Sequence, residues 1–411
     1  MRNSRRSAAL AVASVFSIAA HGQQIRPPIA QYGVDIGTRN MSIPGMPAGG
    51  IAGMMMPGGM GGGPQKELWL GLRSTQKVAG TPAADHDIPP AMSMGRSLPL
   101  LPPPPVASGA RETPDEGPVP EKPKARMLVY WGCGEAIGPG QPKVADTEKM
   151  SPQQFAQALA GRAPPDRSSA SRNAQLRWPN EREPKPVPAS ASIQGEQLVH
   201  GSATPDLRFV IGEKQDFLAP VEVTAKGAMP GPFALAWKAV PNAQGYFLQA
   251  MGHRESTGEM IIWSSSEVQD TGWGLLTYLP NDFLRRMIGE KVVFAPGVTS
   301  CTIPKGIFEG VEGAMLQLIA YGEELNLVHP PRPADPKAAW EQIWTARVRV
   351  KSTGMLPIGM GDADEPGSAR PGGRAPGAAS APPAQAPTGR PPSPVDDAAD
   401  AVNKLKGLLK F

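Results

Sequence analysis

Residues Leu235–Gly252 read LAWKAVPNAQGYFLQAMG. Leu235, Trp237 and Ala239 alternate along one strand-length piece, and Tyr246, Leu248 and Ala250 along the next. A period of two marks half-buried strands. Pro241, Asn242 and Gly245 supply turn chemistry between them, so the stretch predicts a hairpin. One of its faces buries a tryptophan and needs a second sheet to cover it. An antiparallel sandwich is the expected architecture.

Similar runs flank it. Strands are expected near 197–200, 207–211, 221–225, 260–264, 298–303, 314–321 and 345–351. ARMLVYWGCGE (Ala125–Glu135) reads as a buried strand with glycines bracketing Cys133, which suggests a bulge or close backbone approach. A helix follows it. Ser151 is its N-cap, Pro152 its first residue, Gln154 the partner in a capping box, and Phe155 and Leu159 share its apolar face. NDFLRRMI predicts a second helix capped by Asn281 or Asp282.

Other segments cannot build a core. The chain has 411 residues with 49 Pro and 47 Gly, about twice their usual share. QYGVDIGT (Gln31–Thr38) and KELWLGLRS (Lys66–Ser74) have strand character, but a Gly/Met/Pro tract separates them. Glycine in such a tract loses too much backbone entropy to order without burial. LPLLPPPP and its surroundings predict extended linker.

At the N-terminus, Arg2, Arg5 and Arg6 precede an apolar run from Ala8 to Ala20, and Ala20-His21-Gly22 puts small residues before Gln23. That is the layout of a signal peptide, and the run is short for a bilayer span. A periplasmic or secreted location is expected. Cys133 and Cys301 are the only cysteines. Outside the cytosol they either form a disulfide, worth roughly 4–5 kcal/mol by chain entropy, or sit as two separately buried thiols. The net charge of +4 is small and scattered, so nucleic acid is not an expected partner.

The residues around the opening stretch resemble the fibronectin type III family. LAWKAVPNAQGYFLQAMG is similar to its B and C strands, TSCTIPKGIF (Thr299–Phe308) to strand E, AMLQLIAYG (Ala314–Gly322) to strand F and WTARVRVKS to strand G. The likeness covers 217–352 and implies a sandwich fold without implying an activity. The family's corner tyrosine would fall near Ala314, which is not one, and the insertion 269–292 is longer than the family's. The chain as a whole resembles exported bacterial proteins.

The expected fold is therefore mostly β: a fibronectin type III-like antiparallel sandwich with a smaller β unit, one or two short helices and long disordered segments. The expected organisation is a signal peptide at 1–22, a mostly disordered Gly/Met/Pro-rich region with short strands at 23–124, and a small β unit with a helix and Pro-rich loop at 125–216. The sandwich follows at 217–352, then a disordered linker at 353–393 and an amphipathic helix at 394–411. In that last helix Ala398, Val402, Leu405 and Leu409 share a face, with Lys404, Lys406 and Lys410 near its end. It would dock on a partner protein or an anionic membrane face, or fold back on its own sandwich.

Candidate chemistry is sparse. Asp85, His86 and Asp87 stand together, but adjacent side chains seldom converge on one ion, so a solvated turn is expected. Met54, Met55, Met56 and Met60 are soft copper(I)-type ligands, although low complexity is the plainer reading. Ser264, Ser265 and Ser266 lack a nucleophile elbow, and Asp362, Asp364 and Glu365 lack EF-hand spacing. His253 reads as a surface loop residue. Trp263, Trp273 and Tyr278 either form a platform that stacks on sugars or cover the edge of the sandwich. No cofactor is expected. These signals favour a non-enzymatic envelope protein, a binding or scaffolding module whose partner is an envelope protein or glycan. A hydrolase of an envelope polymer and a carbohydrate-binding module are the alternatives.

Overall fold

The computed structural model describes residues 27–42, 63–104, 125–166, 169–170, 172, 174–335 and 338–359. The signal peptide, the methionine tract, the acidic cluster after Gly359 and the C-terminal helix lie outside the described residues. In chain order the strands begin with β1 Ala30–Met41, β2 Gln65–Ser74, β3 Ala84–Asp87, β4 Ser97–Leu100, β5 Arg126–Trp131 and β6 Lys143–Asp146. After helix α1 (Pro152–Ala158) come β7 Leu176–Trp178, β8 Gly195–His200, β9 Leu207–Ile211, β10 Val223–Lys226, β11 Phe233–Trp237, β12 Gly245–Arg254 and β13 Glu259–Ser264. After helix α2 (Asn281–Gly289) come β14 Ser300–Ile303, β15 Ala314–Tyr321, β16 Leu325–His329 and β17 Trp344–Ile358.

The fold is mostly β. The main sheet runs β6-β5-β13-β12-β15-β17-β1-β2-β7, with β16 also on β17, and two smaller sheets run β10-β11-β14 and β4-β3-β8-β9. One core joins all three: Tyr32, Val34, Leu248, Leu318 and Val348 of the main sheet pack with Leu98, Val199 and Leu207 of one small sheet and Leu235 and Ile303 of the other. We call this the inner face. The outer face is covered by α2 against Phe247, Ile319 and Tyr321, by α1 against Met127, Val129 and Ile262, and by loops. Central strands are thus buried on both faces, and the stretch Gly245–Ala250 has no exposed residue.

The opening stretch is not a hairpin. β11 pairs with β10 and β14, whereas β12 pairs with β13 and β15. The chain turns a corner from the small sheet to the main one, with Asn242 at a positive φ of 63°. The Tyr246 hydroxyl accepts a hydrogen bond from the Val240 amide at 2.7 Å, and the Trp237 and Tyr246 rings meet edge to face at 5.8 Å. Alternation marks both strands, but only β11 is half-buried while β12 is covered on both faces, and two inward faces pack equally well across a sandwich as along a hairpin.

Three expected boundaries change. Residues 23–124 are not mostly coreless among those described: β1 lies mid-sheet between β17 and β2. Residues 125–216 do not form a separate unit. β5 and β6 extend the main sheet beyond β13, β7 closes its other end on β2, and β8 and β9 pair in the sheet that includes β3 and β4. The strand likened to G continues through 353–358, which had been expected to be linker.

The first helix carries its capping box, with Ser151 and Gln154 bonded reciprocally. The second departs from expectation. Pro280 occupies its N-cap, and Asn281 instead bonds twice with the Glu324 backbone, at 2.8 Å each way, pinning α2 to the β15–β16 turn.

Cys133 and Cys301 are joined in a disulfide, 168 residues apart in sequence. It ties the end of β5 to β14, alongside a backbone hydrogen bond from Gly134 to Thr302. Closing so long a loop restricts the unfolded chain by about 5 kcal/mol in the chain-entropy model. Cys133→Ser should therefore lower the unfolding free energy by several kcal/mol in urea titration. A variant as stable as the native protein would show that the bond does not constrain the fold.

Candidate functional site

Four rows of residues cross β17, β1 and β2 on the outer face. They are Thr345, Gln31 and Arg73; Arg347, Gly33 and Gly71; Arg349, Asp35 and Trp69; and Lys351, Gly37 and Glu67. Strand alternation aims all twelve away from the core. The face is charged, yet much of it is buried.

Its centre is an ion pair. Arg349 Nε and Nη2 donate to the two Asp35 carboxylate oxygens at 2.6 and 2.7 Å. The side chains are 3% and 1% exposed. The Ala170 amide donates a third bond to Asp35 at 2.6 Å. Burial opposes the Arg349 cation, but the bonded Asp35 charge, with Tyr278 and Asp166, outweighs it and raises the pKa. The Tyr278 ring lies over both neighbouring cations, 4.9 Å from the Arg349 guanidinium and 4.7 Å from Lys351 Nζ. Burial, reinforced by Asp35 and Glu67, pushes the Tyr278 hydroxyl well above its ordinary pKa. Burial lowers the Lys351 ammonium despite Glu67 and Asp35 nearby. Glu67 itself pairs with Arg39 at 3.2 Å.

Beside the seam the sheet is bare. A Cβ on Gly71 would stand 1.8 Å from the Ala170 carbonyl oxygen, and one on Gly33 would stand 2.8 Å from the Ala170 Cβ. The two glycines therefore let Ala170 lie directly on the sheet; the described residues 162–166 and 169–170 are here called the strap. This segment begins at Arg162, whose amide donates to Asp270, and passes Asp166, which accepts from Arg347 at 2.9 Å.

Between this strap and β16 is a pocket of about 450 Å³. Gln31, Arg73 and Arg347 line it from the sheet, Asp166 from the strap, and Asn326 and Gln342 from the far side. This volume is in the range of small-molecule sites. Five separated parts of the chain build it, and polar and apolar groups share the lining.

The rings read as either a sugar-stacking platform or cover for the sandwich edge fall in three places. Trp263 is fully buried, its indole donating to the Gly132 carbonyl at 2.9 Å. Trp273 is half-buried against the α1 cluster. Tyr278 caps the cations described above. They make no common exposed surface, because each fills a different gap over the main sheet. Exposed ring area on the outer face belongs instead to Trp69, 39% accessible.

The segment expected to be a solvated turn, Asp85–Asp87, is part of β3. His86 is fully buried, hydrogen-bonded to the Tyr32 hydroxyl at 2.9 Å and to Gln197 Oε1 at 3.0 Å. Strand alternation sends it inward, away from Asp85 and Asp87. His253 belongs to β12 and is exposed. Ser264, Ser265 and Ser266 are buried and bond to backbone, which shapes the chain leaving β13. Among the described residues no three His, Cys, Asp or Glu side chains gather as a metal site.

No protein-family model matches this chain, and no curated protein matches it.

Asp35→Leu or Arg349→Met alone leaves an uncompensated buried charge and should cost roughly 3–5 kcal/mol. The double variant should recover most of the loss in urea unfolding. Additive losses would show that the pair is not coupled.

Burial lowers the His86 pKa to about 4 from an unfolded value of 6.5, against smaller upward pulls from Gln197 and Asp87. Between these values the unfolded chain holds a proton that the folded one lacks. Stability should thus be intact above pH 6.5 and fall toward pH 4, by about 3 kcal/mol in all. His86→Gln should remove this part of the slope between the urea midpoints at neutral and acid pH. An unchanged slope would assign the pH dependence to other groups.

Proposed function

We propose that this chain is an exported, non-enzymatic cell-envelope protein whose β-sandwich is a binding module. The observation that carries the reading is the pocket between the strap and β16. It collects amide, guanidinium and carboxylate side chains from five parts of the chain, the pattern by which ligand sites fix orientation. The Arg-rich start, the apolar run and the small residues before Gln23 support export to the periplasm or beyond. The disulfide suits an oxidising compartment. Among the described residues no helix is long and apolar enough to cross a membrane.

Strand order supports a fibronectin type III-like module within the larger sheet. The strands likened to B and E pair with each other as β11 and β14, and those likened to C, F and G stand side by side as β12, β15 and β17. Sandwiches of this class divide their strands in that way. The departure is β1, which occupies the edge that the last strand of such a module would leave open.

The test is to recover the protein from its native compartment and titrate it with soluble envelope polymers. Mass spectrometry should find a mature N-terminus at Gln23, and calorimetry should find saturable binding with the polymer left intact. A cytosolic protein retaining residues 1–22, or progressive shortening of the polymer, would overturn the reading.

A further inference from the structure

We infer that the pocket between the strap and β16 takes an acidic glycan, a sugar chain carrying carboxylates. This rests on the binding-module reading and names its ligand class. Among the described residues the charged groups lining the pocket are Arg73, Arg347 and Asp166, a net charge of one positive. Arg73 and Arg347 stand on β2 and β17, either side of β1 and one row apart on the same face. Strand spacing puts their Cα atoms about 12 Å apart, a span that two arginine side chains can close from opposite ends. The planar guanidinium fork fits a carboxylate in a bidentate manner.

Arg347 is already oriented. Its Nη2 donates to Asp166 at 2.9 Å, and the two side chains are 35% and 46% exposed. The pair holds the guanidinium at the rim while leaving it accessible to solvent and ligand. Asp166 also limits the positive charge, which suits a single carboxylate better than a phosphate dianion. The remaining polar side chains are three amides and two hydroxyls: Gln31 lies between the two arginine strands, Asn326 and Gln342 line the β16 side, and Ser169 and Thr345 add hydroxyls. Amides donate and accept together, and so do sugar hydroxyls.

The experiment uses the full mature protein with its disulfide intact. The probes are a short oligogalacturonate and the same oligomer with its carboxylates methyl-esterified. Calorimetry should show the acid binding at least about ten-fold more tightly than the ester, because charge-assisted hydrogen bonds are lost with the charge. Arg73→Gln and Arg347→Gln should each weaken the acid by about ten-fold or more and leave the ester nearly unchanged. Gln31→Trp should fill the floor and abolish binding of both with all charges in place. Urea midpoints of the variants check that each is folded. Equal affinity for acid and ester, or arginine variants that bind the acid as the native protein does, would overturn the acidic-glycan assignment and leave the binding module standing. Failure to bind these or any other envelope polymer would remove both.

Discussion

The structure depends on the seating of β1 between β17 and β2. Asp35 and Arg349 meet there from positions 314 residues apart in sequence. A buried ion pair contributes little net stability, because removing two charges from water offsets most of their attraction. Its effect here is on register. Slipping β1 by one residue would turn Asp35 onto the apolar face and move Tyr32, Val34 and Ile36 off it. Slipping it by two would move Asp35 opposite Arg347 or Lys351 and away from the amide of Ala170. The apolar face fixes which side points inward, and the ion pair fixes which residue stands opposite which.

From that register the outer face follows. Gly33 and Gly71 are brought side by side, and only there can the strap lie against bare backbone. Once it does, the Ala170 amide reaches Asp35 and Asp166 reaches Arg347. Tyr278 closes the other side of the seam over Arg349 and Lys351. The buried pair and the open pocket are therefore adjacent parts of one arrangement, with Arg349 facing the seam and Arg347, two residues earlier, facing the pocket.

The sequence made the strands legible more than their neighbours. Leu235–Gly252 announces two strands through alternation, and Ser151–Gln154 announces a helix through its cap. Alternation is local, so it cannot say whether Trp237 and Tyr246 face each other within a sheet or across one. The stretch around Asp35 is legible as a strand, yet the Gly/Met/Pro tract after it makes the whole region read as mostly disordered, and its place mid-sheet depends on pairing with β17, more than three hundred residues later. Two flanking aspartates make Asp85–Asp87 look solvated, and only the pairing of β3 with β4 and β8 shows that alternation sends His86 inward. The pocket was not legible at all. Gln31, Arg73, Asp166, Asn326 and Arg347 carry no spacing signal, since pairing across hundreds of residues brings them together. Tyr278 was singled out for its ring and exposure, whereas its role depends on two cations more than seventy positions later, which no local pattern reveals.

The rigidity of the pocket follows from β17. Its first part pairs with β16 and its later part with β15, which lie end to end along one edge, while β1 runs along the other. The register leaves Arg347 opposite Asn326 on one side and Gly33 on the other. Of the strands that flank it at the pocket, β1 is held in turn by β2, whereas β16 pairs with β17 alone. The backbone of β2, β1 and β17 beneath the pocket therefore has little freedom left to lose when a ligand arrives. Much of the ordering cost of binding, usually around 0.5–1.5 kcal/mol for each immobilised long side chain, is already met for Arg347 by its contact with Asp166. A site with its floor on paired strands and one arginine already braced is preorganised for recognition, and its selectivity is set by the groups at its rim.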